Sequence, residues 1–290
     1  PEGKSYISVR VFDNSYSLTF GYNSDSLTDV FYVLKDTTLP IIINNQIGDT
    51  TWRSINNGFY NIDFKDVTSG SGIKQFEVTA STAVILSGSE GALIGWTIVT
   101  TTNTHSYTAD WSIPDSVWLA LLSEVTNYIS VRTLDFANNI STVTNAFFIL
   151  KDTFPPTIVD NQPGDTTWRK TNDGVYDIDF YDTGGSKLNK FQVRASTVGY
   201  GLSPFVFDWA DSGTTINGTT SYTSNFQLLT SHFELLLPGT NYISVRVSDI
   251  AWSTTTLTAA FFILKDTQPP TGIANALSFS STDTFNVPYT

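Results

Sequence analysis

A seven-residue motif recurs along this chain at nearly constant spacing. Phe-Phe-Ile-Leu-Lys-Asp-Thr occurs at 147–153 and 261–267, with a close copy at 31–37, so its lysines Lys35, Lys151 and Lys265 are 116 and 114 residues apart. Gly-Asp-Thr-Thr-Trp-Arg recurs at 48–53 and 164–169, again with a step of 116. A fixed period with length changes confined to turn-like segments indicates duplicated domains.

This period divides the chain into two whole repeats and two partial segments. The whole repeats are residues 37–152 and 153–266. We expect residues 1–36, which contain Tyr-Ile-Ser-Val-Arg and the seven-residue motif, to be the C-terminal hairpin of a truncated preceding module. Residues 267–290 depart from the repeat pattern, and we expect them to start a further, divergent module.

Within a repeat, apolar residues alternate with period two, which predicts strands rather than helices. Tyr60, Ile62 and Phe64, for example, are separated by polar residues, and Phe76 and Val78 follow the same rule. The first repeat contains seven such segments, near residues 40–43, 58–66, 73–81, 92–99, 106–111, 127–135 and 143–151. The predicted fold class is therefore all-β, with tandem seven-stranded immunoglobulin-like β-sandwiches joined end to end.

One helical turn interrupts this pattern in each repeat. It lies near Trp118 in the first copy and near Phe233 in the second, where Ser231 and Glu234 have the spacing of a capping box. Trp118 and Phe233 are 115 residues apart. We expect each of them to close one end of its sandwich core.

The composition restricts the chemistry available to the chain. Among its 290 residues there is no Cys, which excludes disulfides, Cys-based metal sites and thiol catalysis. Fifteen basic and 27 acidic residues give a net charge of −12, which disfavours nucleic acid and anionic membranes as partners. No apolar run approaches 18 residues, so no direct membrane insertion is expected.

Three motifs resemble the bacterial immunoglobulin-like or fibronectin type III-like tandem repeats of large cell-surface proteins. They are the linkers at 151–156 and 265–270 (Lys-Asp-Thr-x-Pro-Pro), the Asp-x-Ala-x-Asn turn at 135–139, and the segment at 236–242, which resembles a tyrosine corner. The resemblance implies β-sandwich modules in an extracellular array, at a cell surface or secreted.

The repeated aspartates form the strongest candidate site. In a seven-stranded sandwich the incoming linker, the B–C loop and the F–G loop lie at the same end. This places together Asp36, Asp66 and Asp135 in one repeat and Asp152, Asp182 and Asp249 in the next. Three carboxylates suit Ca²⁺, which prefers oxygen ligands, and such an ion would stiffen the joint. The alternative is that each aspartate caps a turn by accepting backbone N–H bonds, with no cofactor required.

Two tryptophans are candidates for packing between modules. Trp52 and Trp168 follow the first strand of their repeats and should lie at the end nearest the next module. We expect Trp52 to pack on the following linker, around Phe154 and Pro155. Stacking of the exposed rings on sugars is the alternative.

No catalytic residue can be assigned, and we expect no enzymatic activity. The two histidines, His105 and His232, occupy non-equivalent positions and no catalytic motif surrounds either. Three functions remain open: a structural or adhesive rod-like stalk on a bacterial surface, a subunit of a self-assembling filament with strand pairing between copies, and accessory modules of a secreted enzyme. The expected partners are neighbouring modules of the same chain and, in the filament, other copies.

Overall fold

The computed structural model of the protein describes residues 2–46, 48–84, 91–162 and 164–271, so most of the segment at 267–290 lies outside the described residues. The chain begins with a hairpin of two long strands, β1 (Gly3–Ser17) and β2 (Gly21–Lys35). The strands of the first repeat are β3 (Ile41–Asn44), β4 (Asp49–Arg53), β5 (Ile62–Lys65), β6 (Ile73–Ser81), β7 (Ala92–Thr104), β8 (Ser106–Tyr107), β9 (Val125–Asp135) and β10 (Ile140–Lys151), with helix α1 (Asp115–Ala120) before β9.

The second repeat copies this order. Its strands are β11 (Thr157–Asp160), β12 (Asp165–Arg169), β13 (Ile178–Tyr181), β14 (Leu188–Ser196), β15 (Phe205–Asp211), β16 (Ser221–Tyr222), β17 (Gly239–Asp249) and β18 (Thr254–Lys265). Helix α2 (Thr230–Leu235) precedes β17, and a single 3-10 turn (Gly199–Gly201) precedes β15.

Each repeat consists of two facing sheets, and each sheet draws its strands from one repeat only. In the first repeat the sheets have the orders β3-β5-β8 and β4-β10-β9-β6-β7; in the second they are β11-β13-β16 and β12-β18-β17-β14-β15. This is the layered arrangement of an immunoglobulin-like sandwich. The predicted all-β sandwich class is therefore confirmed.

Stacked aromatic rings fill both sandwich cores. Tyr60 stacks on Phe147 with ring centroids 4.4 Å apart, and Phe64 stacks on Phe76 at 4.1 Å. Because alternate residues of a strand point to one face of its sheet, the period-two pattern brings these rings into one layer. The second repeat forms its own core cluster around Tyr176 and Phe261.

Strands β4 and β12, which contain the Asp-Thr-Thr-Trp-Arg part of the recurring motif, do not follow from apolar alternation. They continue the first predicted strand of each repeat into the other sheet, where β4 pairs in parallel with β10 and β12 with β18. Arg53 Nε donates to Asp49 Oδ2 at 2.6 Å, which gives both charged side chains a partner where the chain changes sheets. Arg169 and Asp165 make the equivalent pair in the second repeat, and apolar alternation could not detect it.

The recurring lysine caps the short helix from a distant strand. Lys151 Nζ, at the end of β10, donates to the carbonyl oxygens of Trp118 at 2.9 Å and Leu121 at 2.8 Å. These carbonyls lie at the end of α1, where Trp118 O also accepts from Leu121 N at 3.2 Å, whereas the last carbonyls of a helix lack the partners that its interior provides. Trp118 and Phe233 are buried in their cores as expected. The predicted capping box is wrong, because Leu229 rather than Ser231 stands at the N-cap of α2 and makes no side-chain cap.

The corner before β17 is closed by an asparagine. The buried side chain of Asn241 accepts from Leu237 N at 3.0 Å and donates to Leu237 O at 2.7 Å and Gly239 O at 3.1 Å. Asn127 makes the corresponding bonds with Leu122 in the first repeat. The side chain that closes the turn thus belongs to the residue before Tyr242, whereas the tyrosine corner suggested by the resemblance would use Tyr242 itself.

The N-terminal hairpin leaves much apolar surface in solvent. Within the described residues β2 pairs only with β1, whereas its equivalent β10 also pairs with β4. The exposed apolar side chains include Tyr6, Val9, Val11, Phe12, Leu27, Phe31 and Leu34.

Candidate metal centre at the module joints

The structure brings together the three aspartates of each predicted cluster. Carboxylate oxygens of Asp36, Asp66 and Asp135 lie within 4.8 Å of one another, and the same holds for Asp152, Asp182 and Asp249. In each cluster one carboxylate comes from the incoming linker. The second follows β5 or β13 directly, and the third lies at the end of β9 or β17. The clusters therefore lie where consecutive modules meet.

In the first cluster every carboxylate oxygen accepts a hydrogen bond. Asp36 accepts from Thr38 N and Ser71 N, Asp66 from Val67 N and Gly72 N, and Asp135 from both nitrogens of Asn139, at distances of 2.6 to 3.0 Å. Burial opposes ionisation of Asp36, but the bonds from Ser71 and Thr38 outweigh it and lower the pKa of its carboxyl. This arrangement agrees with the turn-capping interpretation.

The second cluster is buried more deeply and its hydrogen bonding is incomplete. Asp152 accepts from Phe154 N at 3.1 Å and Ser186 N at 3.0 Å, so both of its oxygens are paired. Asp182 and Asp249 each pair one oxygen, Asp182 with Gly184 N and Asp249 with Ser253 N, both at 2.8 Å. The Oδ2 atoms of Asp182 and Asp249 are buried without a hydrogen-bond partner. A serine at 253, where the first repeat has Asn139, removes the amide that pairs the equivalent oxygen.

These unpaired oxygens perturb the ionisation of the cluster. Burial, followed by the charges of Asp152 and Asp182, raises the pKa of Asp249 to about 7. Burial also raises the pKa of Asp182, and the backbone N–H groups of Gly184 and Lys187 act in the opposite direction. A buried acceptor without a donor costs free energy, so this site favours an added positive charge.

The donor set fits a hard cation. It consists of oxygen atoms only, which Ca²⁺ prefers over nitrogen and sulfur ligands. Gly184 closes the site tightly, since a Cβ at this position would lie 2.5 Å from Asp152 Oδ2 and 2.9 Å from Asp182 Oδ1. Asp152, Asp182 and Asp249 are therefore the residues that would hold the ion. The first cluster lacks the unpaired oxygens that distinguish the second.

Trp52 lies at the joint between the two repeats, against the loop after β13. A Cβ at Gly185, in the loop after β13, would lie 2.2 Å from Trp52 Cη2, so the indole rests against this glycine. Phe154 and Pro155, the expected linker partners, are both exposed. Trp168 has no described module beyond it and is 59% exposed.

Two further contacts at the joint were not identified from the sequence. Ser54 Oγ donates to the carbonyl oxygen of Ala251 at 2.7 Å, which ties the end of β4 to the turn between β17 and β18. Asp152 N donates to Arg53 O at 3.0 Å. In the sequence, only the pair Gly184-Gly185 pointed to a close contact at this joint. The periodicity places this pair in a loop but does not indicate which residue packs against it.

No protein-family model matches the chain, and no curated protein matches it. Solved structures similar to it include fibronectin(III)-like modules of Clostridium thermocellum CbhA, at 12% identity and a TM-score of 0.31 over 82% of this chain and 100% of theirs. Dimeric latent PorU from Porphyromonas gingivalis is similar at 11% identity and a TM-score of 0.26 over 84% of this chain and 26% of PorU. The calcium binding domain CBD12 of CALX1.1 gives 10% and 0.20 over 67% of this chain and 76% of that one. At these scores the fold assignment rests on the sheet topology described above.

Helices in the described residues are short, and none is long and apolar enough to span a membrane.

Proposed function

We propose that this chain is a non-catalytic, structural stretch of extracellular modules that forms part of a rod-like stalk on a bacterial surface. The observation that supports this most is the joint between the repeats. Trp52 and Ser54 of the first sandwich contact Gly185 and Ala251 of the second, in addition to the covalent linker. Direct end-to-end contacts restrict the angle between consecutive modules. A stalk needs this restriction in order to stay extended.

Calcium is the second part of this proposal. The three carboxylates of the second cluster belong to the linker (Asp152) and to two loops of the second module (Asp182 and Asp249). Bound Ca²⁺ supplies positive charge that offsets the mutual repulsion of the carboxylates, which is about 3.5 kcal/mol per charge pair at a separation of 4.8 Å and an effective dielectric constant of about 20. Because the linker contributes one ligand, binding fixes the direction in which it enters the module.

The calcium hypothesis is tested by titrating the chelator-treated chain with Ca²⁺ while recording its melting temperature and small-angle X-ray scattering. Saturation at about 100 times Kd stabilises a protein by about 2.7 kcal/mol, so the second module should melt about 5 °C or more higher. The scattering should also indicate a narrower range of interdomain angles.

Asp249→Asn should abolish this response, whereas the matched substitution Asp135→Asn in the first cluster should leave it intact. Unchanged melting and scattering on adding Ca²⁺ would contradict the calcium hypothesis. The structural role would remain supported by a single preferred interdomain angle, and a broad, calcium-independent distribution would overturn that as well.

The hairpin favours a second candidate, a filament in which another copy covers it. A cavity of about 420 Å³ lies where the hairpin meets the first sandwich, lined in part by Leu34, Gly70 and Ala137. Gly70 is the counterpart of Gly185, on which Trp52 rests at the next joint. A strand of the Thr-Thr-Trp-Arg type added to the free edge of β2 would fill this cavity, as β4 does beside β10.

Sedimentation velocity over a range of concentrations separates the two candidates. The filament predicts self-association that weakens when Leu34, 72% exposed on β2, is replaced by Lys. The matched control is Leu119→Lys on α1, which is equally exposed and lies away from the hairpin. A monomer at all concentrations would contradict the filament and agree with the stalk.

A further inference from the structure

One outer face of the second repeat carries a polar cavity bordered by cations and a tryptophan. The cavity measures about 310 Å³ and is lined by Lys190, Gln192, Arg246, Ser248, Trp252 and Thr254. These residues lie on the neighbouring strands β14, β17 and β18 and on the turn before β18. The registers place Gln192 opposite Arg246, and Ser248 opposite Lys190 on one side and Thr254 on the other.

The first repeat has the same backbone at this face but a different charge. Register alignment makes Glu77 and Arg132 the counterparts of Gln192 and Arg246. Arg132 Nε binds Glu77 Oε2 at 2.5 Å, so its charge is neutralised. In the second repeat Arg246 Nη2 donates instead to the neutral Gln192 Oε1 at 2.6 Å. Among the described residues Arg246 forms no ion pair.

A second arginine strengthens the positive charge of this face. Arg194 stands opposite Ser244, where the first repeat has Thr79 opposite Ser130. The guanidinium carbons of Arg194 and Arg246 lie 4.4 and 4.7 Å from the ring of Trp209. This stacking fixes the cations in place before any ligand arrives. The neighbouring strand β15 carries two acids, Asp208, 3.8 Å from Arg194, and Asp211, opposite Gln192.

The tryptophan of the cavity stands where the first repeat has a small polar residue. Trp252 and its counterpart Asn138 both have a left-handed backbone, with φ of 69° and 67°, so the two turns have the same shape. Trp252 is 66% exposed, and Lys190 Nζ lies 5.7 Å from the centroid of its ring. An exposed indole beside a cation offers an apolar platform next to an anion-binding group.

We propose that this face of the second repeat binds an acidic sugar residue of a glycan. Arg246 and Lys190 would bind its carboxylate, Trp252 would pack against the sugar ring, and Gln192 and Thr254 would bind its hydroxyl groups. An acidic peptide is disfavoured as a strand-like ligand, because β14 and β17 are both paired on either side and offer no free backbone edge. This site adds a ligand to the structural role and does not depend on calcium.

Isothermal titration of the full chain with trigalacturonate, its methyl ester and triglutamate at low salt tests this proposal. We expect trigalacturonate to bind, with an affinity that falls as salt increases, and the uncharged ester to bind at least about tenfold more weakly. Lys190→Gln should weaken trigalacturonate binding about tenfold, and the matched Lys74→Gln in the first repeat should not. Trp252→Asn introduces the residue that the first repeat has at the equivalent position. It should weaken trigalacturonate binding by a similar factor.

Each other outcome would overturn the proposal. Equal affinity for the ester would show that no carboxylate is recognised, and binding of triglutamate alone would assign the face to an acidic peptide. Binding that survives both Lys190→Gln and Trp252→Asn would place the sugar elsewhere on the chain. Absence of trigalacturonate binding at millimolar concentration would remove the site.

Discussion

The indole of Trp52 lies against the backbone of Gly185 across the joint between the two repeats. Trp52 is half-buried, whereas its counterpart Trp168, with no described module beyond it, is 59% exposed. The same motif thus has two environments in one chain, and the difference between them is the neighbouring module. A glycine at 185 permits this contact because any side chain there would occupy the space of the ring.

Removing this contact should loosen the joint without unfolding either sandwich. We expect Trp52→Ala to broaden the distribution of interdomain angles seen by small-angle scattering, while each module keeps its melting temperature. Gly185→Ala should act similarly by displacing the ring, since its Cβ would lie 2.2 Å from Trp52 Cη2. Trp168→Ala is the matched control. An unchanged distribution in both variants would contradict a structural role for Trp52.

The buried lysine of each repeat should matter far more than its counterpart in the hairpin. Lys151→Met leaves the carbonyl oxygen of Leu121 without the ammonium donor and leaves Trp118 O with Leu121 N alone, at a cost of about 2 kcal/mol in the free energy of unfolding of the first module. Lys35 is mostly exposed and its ammonium pairs with Glu2 at 3.3 Å. Lys35→Met should therefore change stability by less than about 0.5 kcal/mol. Urea denaturation measures both, and equal effects would argue against the helix-capping role.

The sequence predicted what depends on periodicity and topology. The alternation around Tyr60 and Phe64 gave the strands, and the loop order of a sandwich gave the convergence of Asp152, Asp182 and Asp249. Both follow from rules that hold for any sheet of this kind.

Features that depend on single side-chain contacts could not be predicted. The parallel strand β4 is stabilised by the pair Asp49–Arg53, whose residues have no apolar period. The partner of Trp52 turned out to be Gly185, which has no side chain to signal packing. At Asp249 the difference between the two aspartate clusters depends on one amide, that of Asn139, which becomes a serine in the second repeat. At Asp182 it depends on a backbone N–H, because Gly72 N pairs the equivalent oxygen of Asp66 in the first cluster.

The asparagine corner can be tested against the tyrosine corner suggested by the sequence. Asn241→Ala removes an amide that makes three hydrogen bonds and leaves backbone groups of the turn without these partners, so we expect a loss of about 2–3 kcal/mol in the second module. Tyr242→Phe removes only a hydroxyl and should have little effect. Thermal unfolding of the two variants measures the contrast. A larger loss for Tyr242→Phe would restore the tyrosine corner.

The raised pKa of Asp249 makes the stability of the calcium-free protein depend on pH. Its carboxyl has a pKa of about 7 in the folded chain and an ordinary value of 3.8 when unfolded. Between these pH values the folded state holds a proton that the unfolded state has released. The stability that this carboxyl contributes is therefore full below about pH 4 and is lost as the pH rises through 7.

Urea denaturation in chelator at pH 5 and pH 8 should show that the stability of the parent falls more than that of Asp249→Asn. Because His232 is present in both proteins, the difference between their profiles isolates Asp249. Calcium should reverse the trend in the parent, since it binds the ionised carboxylate. Identical pH profiles for the parent and Asp249→Asn would contradict this prediction.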